Sequence, residues 1–282
     1  MVIFALLFMA VIFLVVQIFG GGIFAFFIGF ILVVLYAIFT YFAGDKLVLA
    51  VSRAKEADPH QYATLYSIVE GLASATQIKM PKVYTIDDPN PNAFATGRKS
   101  KPSIAVTTGL LTMMKRDELE GVIAHEISHV ADNDILVMTI AIAFAGVIGL
   151  VAAFIRNMIF FGFGFRGRDR NEGGEVIVLI AFFIGLLAPL FALLIRLAIS
   201  RRREYMADAN GARITRDPGA LANALKKIEG YSSRPNAQSV MHANEVTAPL
   251  YFSNPFTAKS IMNIFSTHPP IEERIKRLEQ MY

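Results

Sequence analysis

The sequence contains no cysteine among its 282 residues. Disulfide bonds and thiol catalysis are therefore excluded, and any metal site must be built from His, Asp or Glu side chains. Charged residues are also few: they make up 18% of the chain, against 54% hydrophobic residues. An ordinary soluble domain is about 45–50% apolar. The composition therefore favours a membrane protein.

Charge is absent from four long stretches, at residues 2–19, 23–43, 135–155 and 176–195. Each approaches or reaches the roughly 20 apolar residues that a membrane-spanning helix needs. None keeps the polar stripe expected of a helix in a soluble core. We predict four transmembrane helices in two hairpins, with the three glycines at 20–22 as the turn of the first.

The distribution of basic residues predicts an orientation. No basic residue precedes Lys46, so the first run lacks the charged region of a signal peptide. With four spans, residues 44–134 and 201–282 lie on one side of the membrane, and by the positive-inside rule that side is the cytoplasm. The loop between the third and fourth spans does not fit this orientation, since it would lie on the opposite side of the membrane and carries four arginines. The basic residues beside the spans indicate contact with lipid headgroups rather than nucleic acid.

The soluble stretches show patterns of several short elements. Asp58 followed by Pro59 predicts the start of a helix that continues to residue 78. Asp117, followed three residues later by Glu120, predicts the N-cap of a helix that runs toward Asp134. Residues 232–267 have no clear period and are predicted to be loop. The remaining predicted elements are strands at 82–86, 93–97 and 103–108 and helices at 218–230 and 271–281.

The pentapeptide His125-Glu126-Ile127-Ser128-His129 predicts a metal site. Positions i and i+4 of a helix project from one face, so both imidazoles can reach one ion. Glu126 then lies beside the ion, placed to take a proton from a water molecule. Two histidines that only satisfy hydrogen bonds are the simpler alternative.

A catalytic zinc needs a third protein ligand. Position 135 is Ile, which excludes the metzincin pattern with a third histidine there. Glu204 follows the fourth span closely, as His129 closely precedes the third, so both are expected at one membrane level. Asp208, one helical turn after Glu204, could accept a hydrogen bond from a ligand histidine. Other histidines and carboxylates remain alternatives, among them His60, His242 and His268.

Four motifs in order make the chain similar to the HtpX-type membrane zinc metalloproteases, which are related to the CAAX prenyl proteases. They are NAFATG at 92–97, HEISH at 125–129, REYMAD at 203–208 and THPPIEERI at 267–275. The resemblance implies one zinc ion per subunit, with Glu204 as its third ligand. It also implies that Asp208 supports one of the ligand histidines. It further implies that His268 and Arg274 stabilise the oxyanion. The substrate backbone is expected to pair with a strand formed by Asn92, Ala93, Phe94 and Ala95.

We therefore expect a mainly α-helical integral membrane protein whose zincin-like soluble domain carries a small β-sheet. The expected order is a transmembrane hairpin (1–43), the first part of a cytoplasmic catalytic domain (44–134), a second hairpin (135–200) and the second part of the catalytic domain (201–282). The expected function is zinc-dependent cleavage of membrane proteins or unfolded polypeptides at the cytoplasmic surface of the cell membrane. The resemblance alone suggests a role in quality control under stress.

Two alternatives come from different classes. A CAAX-type prenyl protease would need a lipid-sized chamber, which four spans enclose less well than a larger bundle does. A non-proteolytic transporter or scaffold with a structural metal would carry carboxylates or histidines inside its spans. The four runs contain none.

Overall fold

The computed structural model describes residues 23–135, 201–232, Phe252 and 269–281. The predicted spans at 2–19 and 176–195, nearly all of the span at 135–155, and His268 lie outside these residues. The chain divides into two compact units, Met1–Gly44 and Asp45–Tyr282, and each is described by itself.

Helix α1, Ile23–Val51, supplies the described part of the first unit. The large apolar side chains that the structure describes in that unit are exposed, namely Phe24, Phe27, Ile31, Val34, Leu35, Ile38, Phe39, Tyr41 and Phe42. Among the described residues, no helix qualifies as a membrane-spanning segment. The number of spans therefore stays a prediction.

The second unit contains a four-stranded mixed sheet in the order β1-β2-β4-β3. The pair β2–β4 is parallel, whereas β1–β2 and β3–β4 are antiparallel, with Phe94 opposite Ala105. The strands are β1 Lys55–Glu56, β2 Lys82–Ile86, β3 Ala93–Arg98 and β4 Lys101–Thr107. The three predicted strands are confirmed to within two residues at their ends. Strand β1 was missed because two charged residues form no recognisable period.

Six further helices complete the described part of the second unit. They are α2 Ala63–Ala75, α3 Thr108–Met113, α4 Arg116–Ala131, α5 Arg201–Thr215, α6 Pro218–Ser232 and α7 Ile271–Glu279. The start of α6 is as predicted, because Asp217 Oδ1 accepts a hydrogen bond from the Ala220 N–H at 2.9 Å. This contact satisfies one of the unpaired N–H groups of the first turn.

Two predicted helix starts are wrong. Asp58 accepts the His60 N–H at 2.7 Å and so closes a turn, and α2 begins only at Ala63. Helix α4 begins one residue before Asp117, and the N–H of its N-cap residue, Lys115, donates to the Glu118 carboxylate at 2.7 Å. The Lys115–Glu118 contact replaces the predicted pairing of Asp117 with Glu120, because it satisfies the N–H of an N-cap residue that lies two positions earlier.

Helix α4 forms the centre of the core. Its larger buried apolar side chains are Leu119, Val122, Ile123, Ile127 and Val130. It packs against α2, β3, α5 and α6. Two glycines permit the close approach of helices: a Cβ at Gly121 would lie 3.1 Å from Leu221 Cα, and one at Gly211 would lie 3.0 Å from the His125 backbone nitrogen. Helix α5 is therefore held directly against α4 at His125.

Candidate metal centre

Three side chains converge between α4 and α5, all of them buried: His125, His129 and Glu204. The two histidine Nε2 atoms are 3.2 Å apart. Glu204 Oε2 lies 3.8 Å from the Nε2 of His125, and Glu204 Oε1 lies 3.5 Å from the Nε2 of His129. The structure thus brings together the two histidines of the pentapeptide and the distant glutamate.

These separations can be compared with a metal coordination sphere. Ligand atoms about 2.0–2.1 Å from a tetrahedral ion lie roughly 3.3–3.4 Å from one another. The three observed distances, 3.2, 3.5 and 3.8 Å, bracket that value. Two imidazoles and one carboxylate are also a ligand set of catalytic zinc, which leaves the fourth position open. The three residues therefore fit a divalent cation of zinc's size and preference.

His125 is supported on its far ring nitrogen. Its Nδ1 lies 2.9 Å from Asp208 Oδ1. Asp208 is held in turn by Arg274, whose Nε donates to Oδ2 at 2.8 Å and whose Nη2 donates to Oδ1 at 2.7 Å. Burial opposes the charge of Asp208, but Arg274 and His125 outweigh it and lower the pKa of the carboxyl to about 2. Burial lowers the pKa of His125 to about 4, although Asp208 opposes the shift.

His129 has a similar support that the sequence analysis missed. Its Nδ1 lies 3.3 Å from Asp134 Oδ2, and Arg203 Nη1 donates to Asp134 Oδ1 at 3.4 Å. Burial alone would lower the pKa of His129, but the Asp134 hydrogen bond and the Glu204 charge raise it to about 9. Because a histidine must be neutral to bind a metal, a cation would displace this proton. A signal was available: Asn133, a residue that tolerates the left-handed conformation at a helix end, directly precedes Asp134 in the sequence. In the structure it has φ 61° and lies two residues after the end of α4.

Glu126 lies beside the three residues and is almost fully buried. Its Oε2 accepts a hydrogen bond from the Ala95 N–H at 2.9 Å. Burial raises the pKa of Glu126 to about 8, with His129 opposing the shift. A carboxyl group with a pKa near the working pH can both accept and return a proton, as a general base must.

The edge strand β3 carries the predicted substrate-binding residues. The Asn92 carbonyl accepts the Thr107 N–H at 3.0 Å, so its backbone faces β4. By alternation, the backbone groups of Ala93 and Ala95 point away from β4. There the Ala93 carbonyl accepts the Phe252 N–H at 2.8 Å, while the Ala95 N–H contacts Glu126. A substrate backbone that pairs with this edge would therefore compete with these contacts, and the substrate role stays a prediction.

Phe252 is a second residue that the sequence analysis missed. It is buried, its ring lies edge-on to the His125 ring with centroids 4.9 Å apart, and Arg274 lies 4.7 Å from its centroid. It falls within the stretch predicted to be loop, where no pattern singles it out. Two residues were predicted to stabilise the oxyanion. Of these, His268 lies outside the described residues, and Arg274 donates hydrogen bonds to Asp208.

Comparison with known proteins gives independent support for the resemblance to HtpX-type proteases. The model of "Peptidase family M48" matches residues 59–282. A "Protease HtpX homolog" of Caldanaerobacter subterraneus subsp. tengcongensis is 46% identical over 283 residues, covering 99% of this chain and 92% of the relative. A homologue of the same description from Thermococcus kodakarensis is 45% identical, covering 93% of this chain and 88% of the relative. The resemblance to HtpX-type proteases is therefore confirmed.

A solved structure supports the fold. The crystal structure of S. mikatae Ste24p aligns with a TM-score of 0.54 at 22% identity and covers 97% of this chain. The chain spans 61% of the length of that protein. At this identity the likeness shows a shared fold. With the family match extending over most of the sequence and high identity to several proteases, the chain belongs to peptidase family M48.

Proposed function

We propose that the protein is a membrane-integral, zinc-dependent endopeptidase that cleaves membrane proteins or unfolded polypeptides near the cytoplasmic surface. The observation that carries this proposal is the convergence of His125, His129 and Glu204 with Glu126 beside them. Membership of a peptidase family supports peptide-bond hydrolysis as the reaction.

The two histidines and Glu204 would hold the ion. When bound, a zinc ion supplies Lewis-acid chemistry, since it lowers the pKa of a water molecule and polarises a carbonyl group. The protein contributes a buried site, which strengthens electrostatic interactions there. Asp208 and Asp134 orient the two imidazoles through their Nδ1 atoms.

Glu126 is proposed as the general base. Because its Oε2 is engaged by the Ala95 N–H, we assign proton transfer to Oε1. This oxygen takes a proton from the attacking water and returns it to the leaving amine. Before substrate binds, the hydrogen bond to Ala95 also ties the position of the base to β3, the strand on which the peptide is proposed to lie. A peptide that paired with Ala95 would compete for this N–H. His268 remains the proposed donor to the oxyanion, a contact whose loss typically costs about 10²–10³ in rate.

A membrane location is proposed from the four uncharged runs of the sequence. The exposed apolar side chains of α1 support it, because a large apolar surface is costly in water. His129 and Glu204 lie close in sequence to the predicted third and fourth spans, which supports a metal site near the membrane surface. Quality control as the cellular role rests on the family resemblance.

The test compares wild type with Glu126→Gln, both purified in detergent without metal and then supplied with zinc. Cleavage of an unfolded membrane protein and of the chain itself is followed on a gel. We expect zinc-dependent cleavage by wild type and a loss of about 10²–10⁴ in rate for the variant, because general-base catalysis contributes that much. Zinc affinity should persist, since Glu126 is not a ligand. If both proteins bind zinc and neither cleaves, a structural metal site is favoured and the protease proposal fails.

A further inference from the structure

Arg274 on α7 is one of the most deeply buried charged residues among those described, with no exposed surface. Three of its five N–H groups have defined acceptors within the protein. Nε and Nη2 donate to the two oxygens of Asp208, and Nη1 donates to the Phe252 carbonyl at 3.1 Å. The Phe252 ring packs against the guanidinium. The side chain is therefore fixed from three directions.

The paired contact with Asp208 determines how that carboxylate is oriented. A guanidinium that donates two parallel hydrogen bonds fixes the plane of the carboxylate as well as its position. Oδ1, held by Nη2 at 2.7 Å, is the same oxygen that lies 2.9 Å from His125 Nδ1. A rotation of the carboxylate would break both contacts, so Arg274 determines where His125 finds its acceptor.

The hydrogen bond to Asp208 determines the tautomer of His125. An ionised carboxylate only accepts hydrogen bonds, so Nδ1 must carry the hydrogen. Nε2 then presents its lone pair, and this atom faces His129 and Glu204. Without Arg274, a buried carboxylate would also lack its compensating charge. The arrangement of Arg274 and Asp208 thus prepares Nε2 of His125 for a metal.

We propose that Arg274 is a positioning residue that acts on the metal centre through Asp208, by fixing the orientation and tautomer of His125. The inference rests on the metal site proposed above. It assigns Arg274 a role different from donation to the oxyanion. The guanidinium lies near Nδ1 of His125, with Nη2 3.4 Å away, whereas the metal would bind at Nε2 on the other side of the ring.

The two roles predict different outcomes for the metal. A positioning residue alters metal binding even when no substrate is present, and loss of such an outer contact typically costs about 10–100-fold in affinity. An oxyanion donor acts only on the reaction, with a loss of about 10²–10³ in rate and unchanged metal affinity. Metal affinity therefore separates them without any activity assay.

The experiment uses the full chain in detergent as wild type, Arg274→Gln, Arg274→Lys and the control Arg277→Gln. Arg277 lies one turn further along α7, about half exposed, and pairs with Glu273. Zinc affinity is measured by competition with a chelator, and the visible spectrum of bound Co²⁺ reports the geometry of its ligands. We expect about 10–100-fold weaker zinc binding and an altered Co²⁺ spectrum in Arg274→Gln, with Arg277→Gln matching wild type.

The Arg274→Lys variant keeps the proposal testable if Arg274→Gln does not fold, because lysine retains the buried charge but cannot form the paired contact with Asp208. We expect its zinc affinity to fall between those of wild type and Arg274→Gln, with a changed Co²⁺ spectrum. If the Arg274 variants bind both metals as wild type does and only cleave more slowly, the positioning role is overturned. If wild type itself binds neither metal, the proposed function fails, and this inference falls with it.

Discussion

The two histidines of the pentapeptide are the same residue type on the same face of α4, yet their surroundings differ. Each contacts a carboxylate through Nδ1, and each carboxylate accepts a hydrogen bond from an arginine. For His125 the two distances are 2.9 and 2.7 Å, to Asp208 and on to Arg274. For His129 the equivalent distances are 3.3 and 3.4 Å, to Asp134 and on to Arg203. The first support is tight and the second is loose.

Burial accounts for part of the contrast. The Arg274 side chain is 0% exposed, whereas that of Arg203 is 24% exposed. The histidine pKa values also move in opposite directions, down to about 4 for His125 through burial and up to about 9 for His129 against burial. Charge around His125 is balanced by Arg274, while His129 is surrounded by carboxylates. We infer that His125 is the ligand whose position is fixed in advance, and that His129 is the more adaptable one.

The largest effect is expected for Asp208→Asn. The change leaves the Arg274 charge buried without its partner, a situation that typically costs about 3–5 kcal/mol of stability. It also leaves one neutral amide oxygen to accept the hydrogen bonds that His125 and Arg274 now share between two carboxylate oxygens. His125 is then held less firmly, so zinc affinity should fall by about 10–100-fold. Thermal unfolding of the metal-free chain and zinc titration measure the two effects separately. If Asp208→Asn bound zinc as tightly as wild type, His125 would need no support from Asp208. The contrast drawn between His125 and His129 would then have no consequence for metal binding.

The sequence predicted the local parts of this arrangement and missed the non-local ones. Helix α4 and strand β2 follow from short-range patterns. Glu204 was one candidate because it follows a predicted span as His129 precedes one, and the family resemblance identified it as the third ligand. The contacts of Arg274 could not be predicted, since α7 meets α5 only after the chain has folded. Phe252 carries no periodic signal at all. Asp134 was within reach, because the predicted helix runs toward it, but no sequence pattern assigned it a role.

A second test acts on the backbone of His125 rather than on its side chain. An alanine Cβ at Gly211 would lie 3.0 Å from the His125 nitrogen and 3.3 Å from its Cα, so α5 must move away from α4. Overpacking of this kind costs roughly 1–3 kcal/mol, which exceeds the gain of up to about 1 kcal/mol that alanine brings to a helix. We expect Gly211→Ala to lower the thermal midpoint and weaken zinc binding.

The matched control for this change is Gly71→Ala in α2, where a Cβ meets nothing within 4 Å. Alanine there should stabilise the chain by about 0.5–1 kcal/mol because it only improves helix propensity. If Gly211→Ala stabilised the chain as much as Gly71→Ala and left zinc affinity unchanged, the close contact at His125 would have no role in the metal site.

The smallest effect is expected for Arg203→Gln, the counterpart of Arg274→Gln in the loose support. Arg203 is partly exposed and its contact with Asp134 is long, so water can replace it. Partly solvated ion pairs contribute about 0–1 kcal/mol, and we expect a stability loss in that range with less than about a tenfold change in zinc affinity. Both quantities are measured beside Arg274→Gln in one series. Equal losses of zinc affinity in the two variants would mean that the two histidines are supported equally, so that burial and distance do not decide which ligand is fixed in advance.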